Sequence, residues 1–361
     1  MQEKELNKAG KEVIESIEVK AEKGKKISFF EKFLPLWVAL CIFIGILLSM
    51  FFPGISTAIN AFKIGEISIP IGICLFLMMY PAMLNLQASE LKKLGRNPKP
   101  IILTLISNWL IAPFVGLAMV RLFLQGNEPF LIELSLAVIL LSSSPCTAMV
   151  LVWGWMAKGN QEQNVINTSL NTITIIFGYA PMVTLLSGIQ AIPVDWILLL
   201  ISTFVFIGLP LVLGIISKRI LISSKGENWF NNTYRPIVGK ISIIALLTTL
   251  IVLFSLNGDV LIQHPNYLWL VSVPLLVGFV IVVGYNVLIT KLLKLKYREA
   301  IITVIIGSSS HFEIAIATAI AMHSTIAALG TTMGLFWEVP VMLSIVYFGR
   351  YLKKRGFWKS E

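Results

Sequence analysis

Apolar residues occur along this chain in long runs, and a short polar segment closes each run. Ten runs hold about 20 residues each, which is enough for a helix to cross a bilayer. The pattern predicts an all-α polytopic membrane protein with ten transmembrane helices in residues 33–350. The runs lie near residues 34–52, 67–86, 101–124, 131–157, 164–187, 196–217, 237–257, 267–290, 299–323 and 326–349.

Composition supports a membrane protein and excludes a soluble one. The chain is 56% hydrophobic and only 13% charged, whereas a soluble domain holds roughly 25% charged residues. The net charge of +10 does not indicate nucleic-acid binding, because the basic residues lie in short loops between apolar runs. The charged residues 1–32 and 351–361 are predicted to be cytoplasmic tails.

The positions of Lys and Arg predict the orientation in the cell membrane. If the N-terminus is cytoplasmic, the outward loops contain only Lys63 and Arg121 of the 29 Lys and Arg residues. This asymmetry follows the positive-inside rule and predicts that both termini are cytoplasmic. An even number of spans is then required.

The two halves of the chain resemble each other. An offset of about 166 places the first five runs on the last five, and it places Ser142–Ser144 on Ser308–Ser310. Five spans are an odd number, so the second half crosses the membrane in the opposite sense. The sequence therefore predicts two inverted repeats, about 34–187 and 196–349, which is a common plan of secondary transporters.

Polar residues interrupt the fourth and ninth runs near their centres. Ser142–Thr147 contains three serines, a proline and a cysteine, and Ser308–Glu313 contains three serines, a histidine and an acid. Proline removes a backbone donor, and freed carbonyl groups in hydrocarbon need local partners. We expect spans 4 and 9 to be interrupted there, with the site near the midplane at the interruptions.

Two acidic residues are predicted near the bilayer centre. Glu313 lies in the middle of the ninth run and Glu338 in the middle of the tenth. An ionised carboxylate costs at least roughly 2.5 kcal/mol at that depth, so such residues usually face a cavity and mark an ion or proton path. His311, a side chain that exchanges protons near neutral pH, is a third candidate for coupling; the alternative for all three is a structural role.

Cys146 is the candidate for binding soft, thiophilic species, and a small packing residue is the alternative. With an offset of 167 it falls on Glu313, and Asn171 falls on Glu338. Cys41 and Cys74 also lie in apolar runs and are predicted to be packing residues. No cysteine cluster with metal-ligand spacing occurs, and no cofactor is expected.

Asn108, Asn171 and Trp153 are further candidates for lining a route. Asparagine in a span needs hydrogen-bond partners, and bonds between helices explain it almost as well as contact with cargo does. Trp153, one or two turns after Cys146, suits either a cavity wall or the membrane interface.

Enzyme chemistry is not expected. No phosphate-binding G-x-x-x-x-G-K-[ST] motif occurs, so the chain does not itself hydrolyse ATP. An intramembrane serine hydrolase would use Ser308–Ser310, His311 and Glu313. Residues so close on one helix rarely form a proton relay, and the repeat would then have no explanation.

Several segments resemble the arsenical-resistance permeases, which are arsenite efflux carriers within the bile acid/arsenite/riboflavin transporter superfamily. The similarity covers about residues 34–350, and its distinctive motifs are Tyr80–Leu84, Asn108-Trp109, Ser144–Val150 with Trp153 and Ala157–Asn160, Phe312–Ala315, and Glu338–Leu343. The resemblance implies ten spans with crossed, interrupted helices in spans 4 and 9, an essential thiol at Cys146 and an essential carboxylate at Glu313. It also implies that Asn108, Asn171, Trp153 and Glu338 line the route.

Two positions depart from the family pattern. The family usually has Asn-Asp in span 5, where this chain has Asn171-Thr172, and it usually has Asn where this chain has His311. These changes put the substrate range and the proton coupling in question, though not the fold.

The expected function is secondary active efflux of arsenite, with antimonite as a further candidate, across the cell membrane. Cys146 would hold the arsenic or antimony of the substrate, while Asn108, Asn171 and Ser144 would bind its hydroxyl groups beside Trp153. Glu313, with Glu338 and His311, would exchange protons in an antiport that gives arsenic resistance. The sequence does not decide whether a soluble ATPase assists.

Two alternatives remain open at the level of the sequence. Glu313 and Asn171 oxygens would coordinate sodium in a sodium-coupled symporter of organic anions, as in the bile-acid branch. A membrane receptor or scaffold that transports nothing is a third class.

Overall fold

The structure, a computed structural model, describes residues 33–52, 54, 63–64, 67–84, 97–147 and 149–359. The predicted N-terminal tail lies outside these ranges. Two-residue strands pair antiparallel between the first two helices: β1 is Lys63–Ile64 and β2 is Ile67–Ser68. The helices of the first half are α1 Leu34–Phe51, α2 Ile69–Leu84, α3 Pro98–Phe123, α4 Pro129–Ser142, α5 Val150–Met156 and α6 Gln161–Ile189.

The second half has the same order of long and interrupted helices. An additional short helix, α9, joins its second and third spans. Its helices are α7 Trp196–Lys225, α8 Glu227–Leu256, α9 Gly258–Gln263, α10 Asn266–Leu292, α11 Tyr297–Gly307, α12 Phe312–Ala321 and α13 Thr325–Lys354.

The predicted all-α membrane architecture is confirmed. In the described part of the chain, six helices are long and apolar enough to cross a membrane: α3, α6, α7, α8, α10 and α13. Four shorter apolar segments, Leu36–Phe51, Pro70–Leu84, Pro129–Ser142 and Phe312–Ala321, lie in α1, α2, α4 and α12. Every apolar run therefore contains helix, while the number of ten crossings stays a prediction.

Proline shapes three of the long helices. A widened π turn occurs at Ser107–Ile111 in α3, at Phe204–Gly208 in α7 and at Phe230–Tyr234 in α8. Each π turn ends two residues before a proline, namely Pro113, Pro210 and Pro236. Because proline cannot donate a backbone hydrogen bond, the turn before it relaxes, and π turns of this kind frequently mark functional sites.

The helices form two packed groups. In the first group α1 and α2 pack against α8, and α7 packs against α2. Ser242 in α8 donates a hydrogen bond to the carbonyl oxygen of Met78 in α2, 3.2 Å away. The second group contains α3 to α6 and α10 to α13. We call the second group the core group, because both interrupted helices lie in it.

The ends of some helices differ from the predicted runs. Helix α8 begins at Glu227, ten residues before the predicted run near 237–257. Its first turns contain both polar and aromatic residues, so the apolar pattern did not include them. Helix α13 continues to Lys354, within the segment predicted as a C-terminal tail. Trp358 in that segment is buried, and its Nε1 donates to Thr290 Oγ1 at 3.1 Å, so the segment packs on the protein.

Candidate functional site

The fourth and ninth spans are interrupted, as predicted. Helix α4 ends at Ser142, and α5 begins at Val150. Helix α11 ends at Gly307, and α12 begins at Phe312. Pro145 accounts for the first interruption, whereas the second interruption contains no proline.

The two interruptions pair with each other. Pro145 and Ser310 form an isolated antiparallel β-bridge, and the backbone N–H of His311 donates to the carbonyl oxygen of Ser144 at 2.7 Å. Backbone groups freed by the broken helices therefore satisfy each other, as the interior of a membrane requires. We call residues 143–147 and 308–311 the crossing; its antiparallel sense agrees with the predicted inverted repeat.

An asparagine from the next helix holds the first interruption. Asn171 in α6 donates through Nδ2 to the carbonyl oxygen of Cys146 at 2.9 Å. Its Oδ1 accepts a hydrogen bond from Asn108 Nδ2 in the π turn of α3 at 3.1 Å. Cys146, Asn108 and Asn171 are all buried. The structure thus brings these three candidate residues together in the core group.

A carboxylate from the last helix holds the second interruption. Glu338 in α13 accepts hydrogen bonds from Ser309 Oγ at 2.9 Å and from Ser310 Oγ at 2.8 Å. The backbone N–H of Ser310 lies 3.4 Å from the same carboxylate. Glu338 is buried, and these serine donors compensate for its removal from water.

The offset of 167 found in the sequence has a structural counterpart. It pairs Asn171 with Glu338, and each of these residues holds the backbone of the interruption in its own half. An amide on one side and a carboxylate on the other thus occupy equivalent positions. This shared contact supports the inverted repeat independently of the hydropathy pattern.

Glu338 is expected to stabilise the protein through these bonds. Replacing it with leucine leaves the Ser309 and Ser310 hydroxyls without an acceptor, and each unsatisfied buried donor costs about 1–3 kcal/mol. We expect Glu338→Leu to lower the thermal unfolding temperature in detergent clearly, and Glu338→Gln, which keeps an acceptor oxygen, to lower it less. The exposed Glu128 provides the control Glu128→Leu. A Glu338→Leu protein as stable as the wild type would contradict this role.

His311 and Glu313 lie beside each other at the start of α12. His311 Nδ1 lies 2.8 Å from Glu313 Oε2, in a close contact that lacks the direction of a hydrogen bond. The His311 side chain is 1% exposed and that of Glu313 is 14% exposed. Glu313 lies in the first turn of α12, where the helix dipole favours a negative charge. His311 thus belongs to the crossing, and Glu313 lies two residues after it.

The remaining candidates have defined positions near the crossing. Ser144 Oγ donates to the carbonyl oxygen of Leu141 at 2.8 Å. Trp153 in α5 is buried in the hydrophobic core, so it lies in the interior and not in a belt at the membrane interface. Asn286 in α10 donates to Ser107 Oγ at 2.8 Å and to Ser308 Oγ at 3.1 Å, so it joins the helices around the second interruption.

Polar atoms at the crossing have unused hydrogen-bonding capacity. Among the described residues, Ser143 Oγ, Thr147 Oγ1 and His311 Nε2 are buried and make no hydrogen bond. Such atoms are rare in folded proteins and usually bind water, an ion or a ligand. Ser143 and Thr147 lie in the first interruption, together with Cys146. His311 lies in the second interruption, two residues before Glu313.

A cavity of about 60 Å³ lies against the crossing. One water molecule needs roughly 10–15 Å³ on this measure, so the cavity is large enough for several waters or a small solute. Apolar residues of α3, α4 and α10 form its walls. Its polar lining comes from Asn108, Ser142, Ser144 and Ser308–Ser310.

The contacts of the serines argue against a hydrolase. Ser309 and Ser310 donate to Glu338 and not to His311, so in the described structure neither serine hydroxyl is activated by the histidine as a nucleophile requires. The serines hold a carboxylate. The sequence had identified these serines but not the partner that they bind.

Comparison with known proteins agrees with this architecture. The model of the Sodium Bile acid symporter family matches residues 72–264, more than half of the chain. The chain belongs to the sodium bile acid symporter family. It is a transporter of the membrane, since this family and its relatives are transporters.

Three relatives align over nearly the whole chain. An uncharacterized transporter of Synechocystis is 39% identical over 93% of this chain and 91% of its own length. The arsenical-resistance protein Acr3 of Alkaliphilus metalliredigens is 34% identical over 90% and 93%, and Acr3 of Corynebacterium glutamicum is 29% identical over 93% and 92%. These relatives confirm the resemblance to the arsenical-resistance permeases within the family.

Proposed function

We propose that this family member is a secondary active carrier that exports arsenite across the cell membrane. The observation that carries the proposal is the position of Cys146. Cys146 lies in the first interruption, where its backbone carbonyl oxygen accepts a hydrogen bond from Asn171 Nδ2 at 2.9 Å. The backbone bond from His311 to Ser144, 2.7 Å long, joins this interruption to the second one. The Acr3 relatives support arsenite as the substrate.

The chemistry of arsenous acid suits this site. Arsenous acid is a small neutral molecule with three hydroxyl groups, so it needs no cationic side chain, and the crossing contains no Lys or Arg. Thiol sulfur is the protein ligand that soft, thiophilic elements prefer. The Cys146 S–H and one As–OH group would condense to an S–As bond and water, and water would reverse the step on the other side.

Hydrogen bonds would complete the recognition of the substrate. The two remaining arsenic hydroxyl groups need partners, and Ser143 Oγ and Thr147 Oγ1 lie on either side of Cys146 in the chain with no other bond within the described residues. Ser144, Asn108 and Asn171 supply further oxygen and nitrogen atoms beside Trp153. Trivalent antimony is also thiophilic, so antimonite would be a second substrate of the same site.

Glu313 would couple export to the entry of protons. Its carboxylate lies 2.8 Å from His311 Nδ1, and its side chain is 14% exposed instead of fully buried. The carboxyl group would release a proton when cargo binds from the cytoplasm and take one up when cargo leaves. Rocking of one helix group against the other around the crossing would then give alternating access.

Sodium-coupled symport of an organic anion is the second candidate. The family match supports it, and the oxygens of Glu313 and Glu338 are ligands that a hard cation accepts. An anion, however, is recognised best by cationic side chains, and the crossing contains no Lys or Arg. The structure thus favours a neutral, thiophilic substrate.

The driving ion can be tested in everted membrane vesicles that contain the full chain. We expect arsenite to accumulate when the lumen is acidic, because protons then leave as arsenite enters. A sodium gradient of either direction is expected to change this uptake by less than about twofold. Vesicles from cells without the protein are the control. Uptake that requires sodium and ignores the pH gradient would favour the symporter instead.

A further inference from the structure

A row of buried amide side chains follows one face of α6. Gln163, Asn167 and Asn171 are spaced four residues apart, so they lie one above another along the helix. All three are buried. Asn171 is part of the site described above, whereas Gln163 and Asn167 have no role in it.

The amides in the row bond to two neighbouring helices of the core group, α3 and α11. Asn171 accepts from Asn108 in α3 at 3.1 Å, and Asn167 Nδ2 donates to Thr104 Oγ1 in α3 at 3.1 Å. Gln163 Nε2 donates to Thr303 Oγ1 in α11 at 3.2 Å. We call these six residues the inner ladder: Thr104, Asn108, Gln163, Asn167, Asn171 and Thr303.

The inner ladder extends from the crossing to the protein surface. At one end, Asn171 Nδ2 donates to the Cys146 carbonyl oxygen at 2.9 Å. At the other end, Gln163 Nε2 also lies 3.2 Å from the carbonyl oxygen of Glu299. The Glu299 carboxylate accepts from Asn97 Nδ2 at 2.6 Å in an exposed bond. This surface belongs to the side predicted to be cytoplasmic.

Two acceptor atoms of the ladder make no hydrogen bond within the described residues. Gln163 Oε1 and Asn167 Oδ1 are buried and make no hydrogen bond with any described residue. Thr104 and Thr303 instead direct their hydroxyl groups at the shared carbonyl oxygen of Pro100, at 2.9 and 3.3 Å. Unused amide oxygens attract groups that donate hydrogen bonds, such as water and protonated water.

The second half of the chain shows that the fold does not require this polarity. The offset of 167 places Gln163 on Gly330 and Asn167 on Gly334, and the offset of 166 places Ala137 on Thr303. The equivalent helices do meet there: a Cβ atom added to Gly330 would lie 2.8 Å from the Ala137 Cβ. Likewise, a Cβ atom added to Gly334 would lie 2.7 Å from Leu141 Cδ1. Where the first half has amides and hydroxyls, the second half has close apolar packing.

We propose that the inner ladder is the path by which protons pass between the crossing and the cytoplasm. The inference rests on the proposed function, and it names the route of the coupling ion. Neutral amides and hydroxyls relay protons through bound water without trapping them as a charged side chain would. The ladder residues bond to each other at 3.1–3.2 Å, and the proposal assigns this route to protons and not to the cargo.

The test replaces one hydrogen-bonded pair of ladder residues by apolar residues of similar shape. Thr104→Val combined with Asn167→Leu removes both partners of a bond, which is far less damaging to stability than removing one. In everted vesicles, we expect arsenite uptake driven by an acidic lumen to fall at least about tenfold. Exchange of labelled for unlabelled arsenite without a pH gradient, which needs no net proton movement, should stay within about twofold of the wild type.

A second double variant, at another hydrogen-bonded pair of the ladder, and a control variant complete the design. Gln163→Met with Thr303→Val breaks the ladder elsewhere and should give the same result, so the proposal does not depend on the folding of one variant. Ser242→Ala removes a bond of 3.2 Å between α8 and α2, from Ser242 to the Met78 carbonyl oxygen, outside the ladder. It should leave both activities unchanged.

The outcomes separate the two proposals. Variants that keep pH-driven uptake, or that lose exchange in equal measure while well folded, would overturn the ladder as a proton path. Wild-type uptake that ignores the pH gradient would also overturn it, yet would leave the arsenite carrier intact. No arsenite uptake by the wild type would overturn the proposed function and the ladder together.

Discussion

Replacing Cys146 with serine is expected to lower arsenite uptake into everted vesicles by about 100-fold, which corresponds to roughly 2.7 kcal/mol of lost binding. Serine keeps the size of the side chain and the backbone carbonyl that accepts from Asn171, so the interruption should retain its shape. It removes the sulfur, which binds trivalent arsenic in a way that a hydroxyl oxygen does not. The initial rate of uptake at a low arsenite concentration measures the loss.

The other two cysteines provide matched controls. Cys41 in α1 and Cys74 in α2 belong to the helix group that lacks the interruptions, and both are free. Cys41→Ser and Cys74→Ser should therefore change uptake by less than about twofold, apart from effects on the amount of protein. Uptake by Cys146→Ser at the wild-type rate would remove the thiol from the mechanism.

The positions of the helices could be predicted from the apolar runs because a membrane imposes one simple rule. Each span must be apolar for about 20 residues, and every run contains helix in the structure. The start of α8 could not be predicted in this way. Its first turns mix Trp229, Phe230 and Tyr234 with asparagines, and such an amphipathic turn has too little mean hydropathy to join a run.

The two interruptions were predicted on different grounds. Pro145 gives a local reason for the first, while the second follows only from its similarity to the first. Both non-helical segments are stabilised by pairing with each other, through the Pro145–Ser310 bridge and the His311–Ser144 bond. A contact between residues so far apart in the chain has no local signature, so the sequence could suggest the crossing but not its bonds.

The candidate residues could be found from the sequence, but their partners could not. A polar residue in a span is conspicuous, and its partner depends on how neighbouring helices pack. Glu338 illustrates this, because its bonds to Ser309 and Ser310 appear only in the folded protein. Gln163 and Asn167 were missed, although their spacing of four residues from Asn171 already places them on one face of α6.

The asymmetry between the halves gives the repeat a functional meaning. Equivalent positions hold the two interruptions, with Asn171 in one half and Glu338 in the other. An amide on one side cannot exchange protons, whereas a carboxylate on the other can. The inner ladder adds polar side chains to one half where glycines fill the other. An inverted repeat of this kind supplies one shape twice and allows the two halves to differ in chemistry.

Replacing Glu313 with glutamine is expected to abolish the effect of the pH gradient while leaving exchange of arsenite largely in place. Glutamine has nearly the same size and keeps an oxygen near His311, but it cannot release or take up a proton. Uptake with an acidic lumen should fall by at least about 100-fold to the level of passive entry. Exchange of labelled for unlabelled arsenite should remain within about threefold, because Cys146 still binds the cargo.

The contrast between these two measurements makes the prediction specific to the carboxyl group. Glu162→Gln, a change at an exposed carboxylate at the start of α6, is the control and should alter neither activity. Glu313→Asp keeps an acid and should retain part of the response to pH. Loss of exchange together with driven uptake would instead make Glu313 a ligand of the cargo, and unchanged driven uptake would transfer the coupling role to His311 or Glu338. Because Glu338 accepts hydrogen bonds from two serines whereas Glu313 contacts His311 and is 14% exposed, the geometry favours Glu313.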